Sequence, residues 1–304
     1  MNKKRTTAGL LMIFLLSPLS SYGADVAQKT FATPQEAVDA AVQAAQSNDT
    51  GALLALFGPE SRDIVISGDP SDDKDGRARF VKAAHEKTNL IPAPMDPDKT
   101  ILSLGEQDWP FPIPLVRKDG KWYFDSSQGK MEILARRIGS NEMSAIEICR
   151  GYVEAQFEYA QAHRQKDVPE YAQKIMSSKG KQDGLYWESK KGQPECVIPK
   201  GFAAAALGMV PHREPYHGYY FKILTAQGSA ATGGAVNYVV NGSMLGGFAL
   251  VAWPAEYGVS GIQTFMVSHD GTVYEKHLGP DGASLAEQMT EYNPDASWRP
   301  VQSE

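Results

Sequence analysis

Cysteine is almost absent from this 304-residue chain; there are two, Cys149 and Cys196. No histidine stands near them at ligand spacing, which excludes a zinc site of the Cys/His kind. What remains is one disulfide or two buried free thiols, and an oxidising compartment favours the disulfide. Basic clusters are missing as well. Beyond the first few residues the longest Lys/Arg runs are pairs such as Arg136-Arg137 and Lys190-Lys191, so neither nucleic acid nor an anionic lipid surface is an expected partner. No Gly-x-Ser-x-Gly elbow occurs, since Asn241-Gly242-Ser243-Met244-Leu245-Gly246 has the wrong spacing. Gly233-Gly234 and Gly246-Gly247 do not form a phosphate-cradling Gly-x-Gly-x-x-Gly. His85, His163, His212, His217, His269 and His277 make no i, i+4 ligand pair. No catalytic constellation, cofactor or metal is therefore expected.

What is there begins with residues 1–24. Lys3, Lys4 and Arg5 form a basic segment, Ala8 to Leu16 an apolar run too short to span a bilayer, and Ser21-Tyr22-Gly23 ends in small residues. This is the pattern of a signal peptide cut after Gly23, the alternative being an uncleaved anchor. No cysteine near the cut offers a lipid attachment point. An exported protein without stable membrane insertion follows, periplasmic if the host has two membranes. Removing residues 1–23 takes away three positive charges and no negative ones, so the formal charge moves from −6 to −9. With 42% hydrophobic and 22% charged residues, the remainder is ordinary globular material, of a length natural for two modules.

The boundaries expected are 24–140 and 141–304, both α+β. In the first, Thr33-Pro34-Gln35-Glu36 caps a helix carrying Val38, Ala41, Val42 and Ala45 at helical spacing. Asn48-Asp49-Thr50 starts a second with Leu53, Leu54, Leu56 and Phe57, stopped by Gly58-Pro59. Asp69 to Gly76 reads as an acidic loop and Arg77 to Asn89 as a third helix. From Lys99 to Asp125 the period becomes two, with a tight turn at Lys118-Asp119-Gly120-Lys121. A short helix at Met131–Ile138 is expected to end at Gly139, and a long one to open at Asn141 with Ile146, Cys149, Val153, Phe157 and Ala160 on one side. Short helices at Pro169–Met176 and Phe202–Leu207 follow. Four strands come next, at Tyr219–Leu224, Phe248–Trp253, Thr264–Val267 and Val273–Lys276, the last two joined at Asp270-Gly271. The Gly- and Ala-rich stretch from Gly228 to Gly247 reads as a mobile excursion with glycine hinges.

Several strings together resemble the bacterial exported family catalogued as domain of unknown function 2950. They are Trp109-Pro110-Phe111-Pro112-Ile113-Pro114-Leu115-Val116, Gly120-Lys121-Trp122-Tyr123-Phe124-Asp125, Arg136-Arg137-Ile138-Gly139-Ser140-Asn141-Glu142, and Gly218-Tyr219-Tyr220-Phe221 with Phe265-Met266-Val267 before Asp270-Gly271. The likeness runs from about Phe31 to Leu278 and implies secretion but no activity. In shape alone, a helical hairpin followed by a curved antiparallel sheet is similar to the cone of nuclear transport factor 2. A long helix followed by a four-stranded antiparallel sheet is similar to a pilin head, although no prepilin-type cleavage site is present. Fold does not carry function in either case.

Four sets of residues invite chemistry. Ser71, Asp73 and Asp75 alternate before Gly76 as in a calcium loop, but the twelfth position is Lys82 instead of a bidentate Glu; a solvated loop is the better reading. Trp109, Phe111, Trp122, Tyr123 and Phe124 either line a hollow cone or pack its core, with Asp108 and Asp125 as potential bases or plain surface carboxylates. Arg136 and Arg137 either clamp an acidic ligand or pair with Asp125 or Glu142. Tyr186-Trp187 and Tyr216 to Tyr220 offer rings to a glycan or peptide, or pack between domains. The function expected is an envelope binding or assembly component acting through protein or glycan contacts. The alternative is a small-molecule or lipid binder, or weak enzyme, with a pocket in the first module.

Overall fold

The structure is a computed structural model that describes residues 27–165, 168–187, 198, 200–206 and 214–302. The expected leader, Lys190-Lys191, Cys196 and His212 lie outside the described residues. The chain divides into two compact units between Lys130 and Met131, each with helices and antiparallel sheet, so the molecule is α+β.

The first unit opens with a helical hairpin. In α1 (Pro34–Gln46), the Thr33 hydroxyl accepts from Glu36 N–H, and Glu36 reaches back to Ala32 N–H. Two orphan amide donors are thereby satisfied. Asp49 caps α2 (Thr50–Phe57) by accepting from Ala52 N–H. After a short 3-10 turn and α3 (Arg62–Val65) comes α4 (Pro70–Glu86). Here the expected acidic loop is wrong, because Asp69 accepts from the N–H groups of Ser71 and Asp72, Pro70 holds the first helical φ, and Asp72 and Asp73 face the positive end of the helix dipole. A run of aspartates is helix-compatible at that end alone. The helix also stops before Asn89, which belongs to a strand.

The sheet runs β1 (Thr88–Ala93), β2 (Asp96–Leu104), β4 (Leu115–Lys118), β5 (Lys121–Phe124), with β3 (Trp109–Pro110) pairing β2, all antiparallel. Asp119 and Gly120 both take positive φ, 52° and 75°, which matches the twist of a two-residue hairpin. Buried Ala37, Val38, Ala41, Leu53, Leu56 and Phe57 from the hairpin meet Leu102, Leu104, Leu115 and Phe124 from the sheet. Gln28 fastens the beginning of the described chain, its side-chain amide donating to Leu56 O at 2.9 Å and Phe124 O at 2.7 Å.

One helix, α5 (Ser126–Ala162), begins at the end of the first unit and continues into the second. It runs through Gly139, where a break was expected. A glycine lowers helix propensity by about 1 kcal/mol, too little to end a helix whose neighbouring turns are packed. Of the expected face, Cys149, Val153 and Ala160 are buried and Ile146 is half-buried, Ala145, Tyr152, Ala155 and Gln156 are buried beside them, and Phe157 is 43% exposed. Beyond α5 lie β6 (Arg164–Gln165) and β7 (Val168–Pro169), then α6 (Lys200–Ala206). The helix expected over Pro169–Met176 is instead irregular chain, bridged to Met244 and Tyr186. The Gln156 amide holds it, donating to Ala172 O and accepting from Ala172 N–H, each at 2.8 Å.

The strands expected in the second unit are present: β8 (Tyr219–Leu224), then, after short β9 (Ala226–Gln227), β10 (Val236–Asn237), β11 (Val239–Val240) and β12 (Ser243–Met244), β13 (Ala249–Pro254), β14 (Thr264–Ser268) and β15 (Val273–Lys276). Helix α7 (Gly282–Gln288), β16 (Glu291–Tyr292) and β17 (Arg299–Pro300) close the chain, and the main sheet has order β17-β15-β14-β13-β8. Every residue of β13 and β14 is buried. Within the stretch expected to be a mobile excursion, Tyr238 and Met244 are fully buried, and Tyr238 donates to Gln227 Oε1 at 2.8 Å. Gly246 is a close-approach site, since a Cβ there would sit 2.9 Å from Asn237 O.

The family-like strings of this unit converge on one loop. Asn141 donates to Ser260 O at 2.8 Å, and Glu142 accepts from the N–H groups of Ile262 and Gln263. Tyr219 donates to Gln263 O at 2.9 Å. Gly218, at φ 73°, leaves room for Asn141, since a Cβ would lie 2.5 Å from its amide nitrogen.

Candidate functional site

A cleft of about 320 Å³ opens in the first unit. Its wall is apolar, with Leu53 and Phe57 from α2, Ile64 and Val65 from α3, Phe80 from α4, and Phe111 and Ile113 from the segment before β4. The three phenylalanines form a chain of tilted rings, Phe80 to Phe111 at 5.4 Å and Phe111 to Phe57 at 6.2 Å between centroids, with Phe124 beneath at 4.8 Å from Phe57. Pro110 lies in β3 and Phe111 N–H still donates to Leu102 O at 2.7 Å. Pro112 and Pro114, which have no N–H to give, leave the chain irregular before β4, with Phe111 and Ile113 on the cleft.

The rim is polar and comes largely from one face of α4. Asp73, Gly76, Arg77 and Phe80 recur at intervals of three and four, so they share a face that passes from carboxylate to guanidinium to aromatic ring. The Asp73 carboxylate accepts from Ser67 N–H at 2.9 Å, which holds its pKa below the usual range, helped by its hydrogen bond with the Ser67 side chain and by the Arg77 charge. Arg77 donates to Asn48 Oδ1 and, at 3.3 Å, to Val65 O. Gly76 leaves space, since the nearest atom to a Cβ there is Arg79 Nη2 at 3.8 Å. An apolar wall with a few convergent polar groups is the arrangement that binds small ligands.

Most residues expected from the sequence lie elsewhere. Trp109 is 49% exposed, with its ring 6.2 Å from Phe111 at the edge of the aromatic chain. Trp122 and Tyr123 are half-buried on β5, and Arg117 stands over the Trp122 ring at 5.5 Å. Asp125 caps α5, its two oxygens accepting from Gln128 N–H at 3.0 Å and the Gln128 amide at 2.7 Å. Asp108 is bound by Lys87 at 2.8 Å and Asn89 at 3.1 Å, and the lysine holds its carboxyl below the usual range. Both carboxylates are thus structural anchors with donors already in place. Arg136 pairs with Glu132 at 2.8 Å, and Arg137 is exposed. Tyr186 and Trp187 are half-buried in the second unit, where Tyr186 bridges Met176.

Cys149 is a free thiol, fully buried, its pKa pushed up to about 12 by burial. The other partner of the expected Cys149–Cys196 bridge, Cys196, lies outside the described residues. A second cavity of about 340 Å³ in the second unit is lined by Glu147, Tyr152, Phe202, Tyr216 and His217 among others. Its Tyr152 hydroxyl is already engaged with Ala249 O and the Gln156 amide. Among the described residues no group of His, Cys, Asp or Glu is arranged to hold a metal ion, and no helix is long and apolar enough to cross a membrane.

What sequence reading missed was the α4 face and the Ile64-Val65 pair. The signal was present in Asp69-Pro70, a capping residue followed by a first-position proline, which extends the helix back over Asp73 and Gly76.

A family model described as "Protein of unknown function (DUF2950)" matches residues 28–301. No curated protein matches the chain. No solved structure matches it.

Proposed function

The chain belongs to the DUF2950 family, and from that premise we propose that it is a binding protein of the cell envelope whose first unit takes up a small apolar or amphipathic molecule. The observation that carries this reading is the cleft walled by Leu53, Phe57, Phe80 and Phe111, whose volume falls at the small end of the ~300–1,000 Å³ usual for ligand sites. Residues 1–24 support an envelope address through their basic, apolar and small-residue segments. The element order supports a cone-like first unit, similar to nuclear transport factor 2, and a second similar to a pilin head. Assembly through protein or glycan contacts is the second reading, favoured by the exposed Trp109 ring.

Gly76→Leu tests the cleft. The substitution extends a side chain into open space and replaces a poor helix former, so the fold is expected to keep or gain up to about 1 kcal/mol. Binding of N-phenyl-1-naphthylamine to the mature protein, followed by fluorescence, should drop at least tenfold with the melting temperature unchanged or raised. Undiminished dye binding by the well-folded variant would count against the cleft.

A further inference from the structure

We propose that the ligand of this cleft is a single-chain carboxylate amphiphile, its tail against the phenylalanine wall and its head group on the Arg77 guanidinium. The inference rests on the cleft being a binding site, as proposed above, and adds the charge and chain count of what it holds.

Three observations at the mouth support it. Arg77 lies one helical turn from Phe80, so the first charged group beyond the apolar wall is positive. Its acceptors among the described residues are neutral oxygens, Asn48 Oδ1 and Val65 O. They occupy two of the five guanidinium donors, while the Asp73 carboxylate one turn away shares the field of the Arg77 charge. The neighbouring carboxylates have other donors. Asp69 caps α4 and Asp73 accepts from Ser67 N–H, while Asp72 is exposed in the first turn, where the helix dipole favours it. A planar guanidinium with free donors matches a carboxylate better than any neutral or cationic head. A volume of about 320 Å³ admits one medium-length chain and not the two of a phospholipid.

The test uses the delipidated mature protein and three ten-carbon probes that differ in the head alone: decanoate, 1-decanol and decyltrimethylammonium. Each competes with N-phenyl-1-naphthylamine. Decanoate is expected to bind about tenfold more tightly than decanol, the gain of one partly exposed charge-assisted contact, and the ammonium probe most weakly. Arg77→Gln should bring decanoate to within about twofold of decanol while leaving decanol unchanged, which separates loss of the charge from loss of the fold. In the unmodified protein, 0.5 M salt should weaken decanoate and spare decanol. Equal affinity for decanoate and decanol, or a preference that survives Arg77→Gln, overturns the head-group assignment and leaves the cleft standing. If no probe binds, or if Gly76→Leu excludes none of them, the cleft reading falls and takes this inference with it.

Discussion

Asp108 and Asp125 show how a carboxylate near an aromatic cluster is decided by its neighbours. Asp108, at a positive φ of 52°, collects Lys87, Asn89 and Ser103. Since Lys87 holds its folded pKa below the ordinary carboxyl value of 3.8, its contribution to stability is present above that value and disappears as pH falls through the lower folded pKa. The gap in denaturation midpoint between the parent and Asp108→Asn should therefore be open at pH 6 and narrow as pH falls below 3.8; a gap independent of pH would refute the linkage. Asp125→Ala removes the cap of α5 and should cost ~0.5–2 kcal/mol in urea melts, with dye binding at the cleft intact. Neither role was legible in composition, because the main donors to Asp108, Lys87 and Asn89, lie some twenty residues away, and Ser103 and Gln128 lie close by without announcing a bond.

At the scale of elements, the β-strands of the second unit were legible because Tyr219–Leu224, Ala249–Pro254 and Thr264–Ser268 carry β-branched and aromatic residues in short bounded runs. The first two turns of α4 and the continuity of α5 were not. Asp-rich and Gly-containing stretches have weak intrinsic preferences, so capping and packing decide them. Gly139 is the clearest case, as nothing lies within 4 Å of where its Cβ would be. Gly139→Ala should raise stability by ~0.5–1 kcal/mol, read by circular dichroism on heating; a loss would mean the helix is not continuous there. Gly261 is its opposite, because a Cβ would strike the Tyr219 hydroxyl.

For the whole molecule, the α+β class and the family were readable from the sequence, whereas the cleft was not. Its wall draws Leu53, Ile64, Phe80 and Phe111 from four separate places in the chain; Phe111 alone of these reads in the sequence as a possible lining residue, and the other three look like any core residue. The first unit has its own hydrophobic core, separate from that of the second. Leu102→Ala, at a fully buried site, should cost that unit ~2–5 kcal/mol, seen as faster amide exchange across β1, β2 and β4. Unchanged exchange there would contradict the core assignment. Gln28 carries a last consequence for how short the amino end can become. An exopeptidase trimming inward, or an expression start placed too late, that removes Gln28 strands the carbonyls of Leu56 and Phe124, which a single amide now serves. A polypeptide starting after this glutamine is therefore expected to lose stability, and an amino-terminal affinity handle belongs upstream of it.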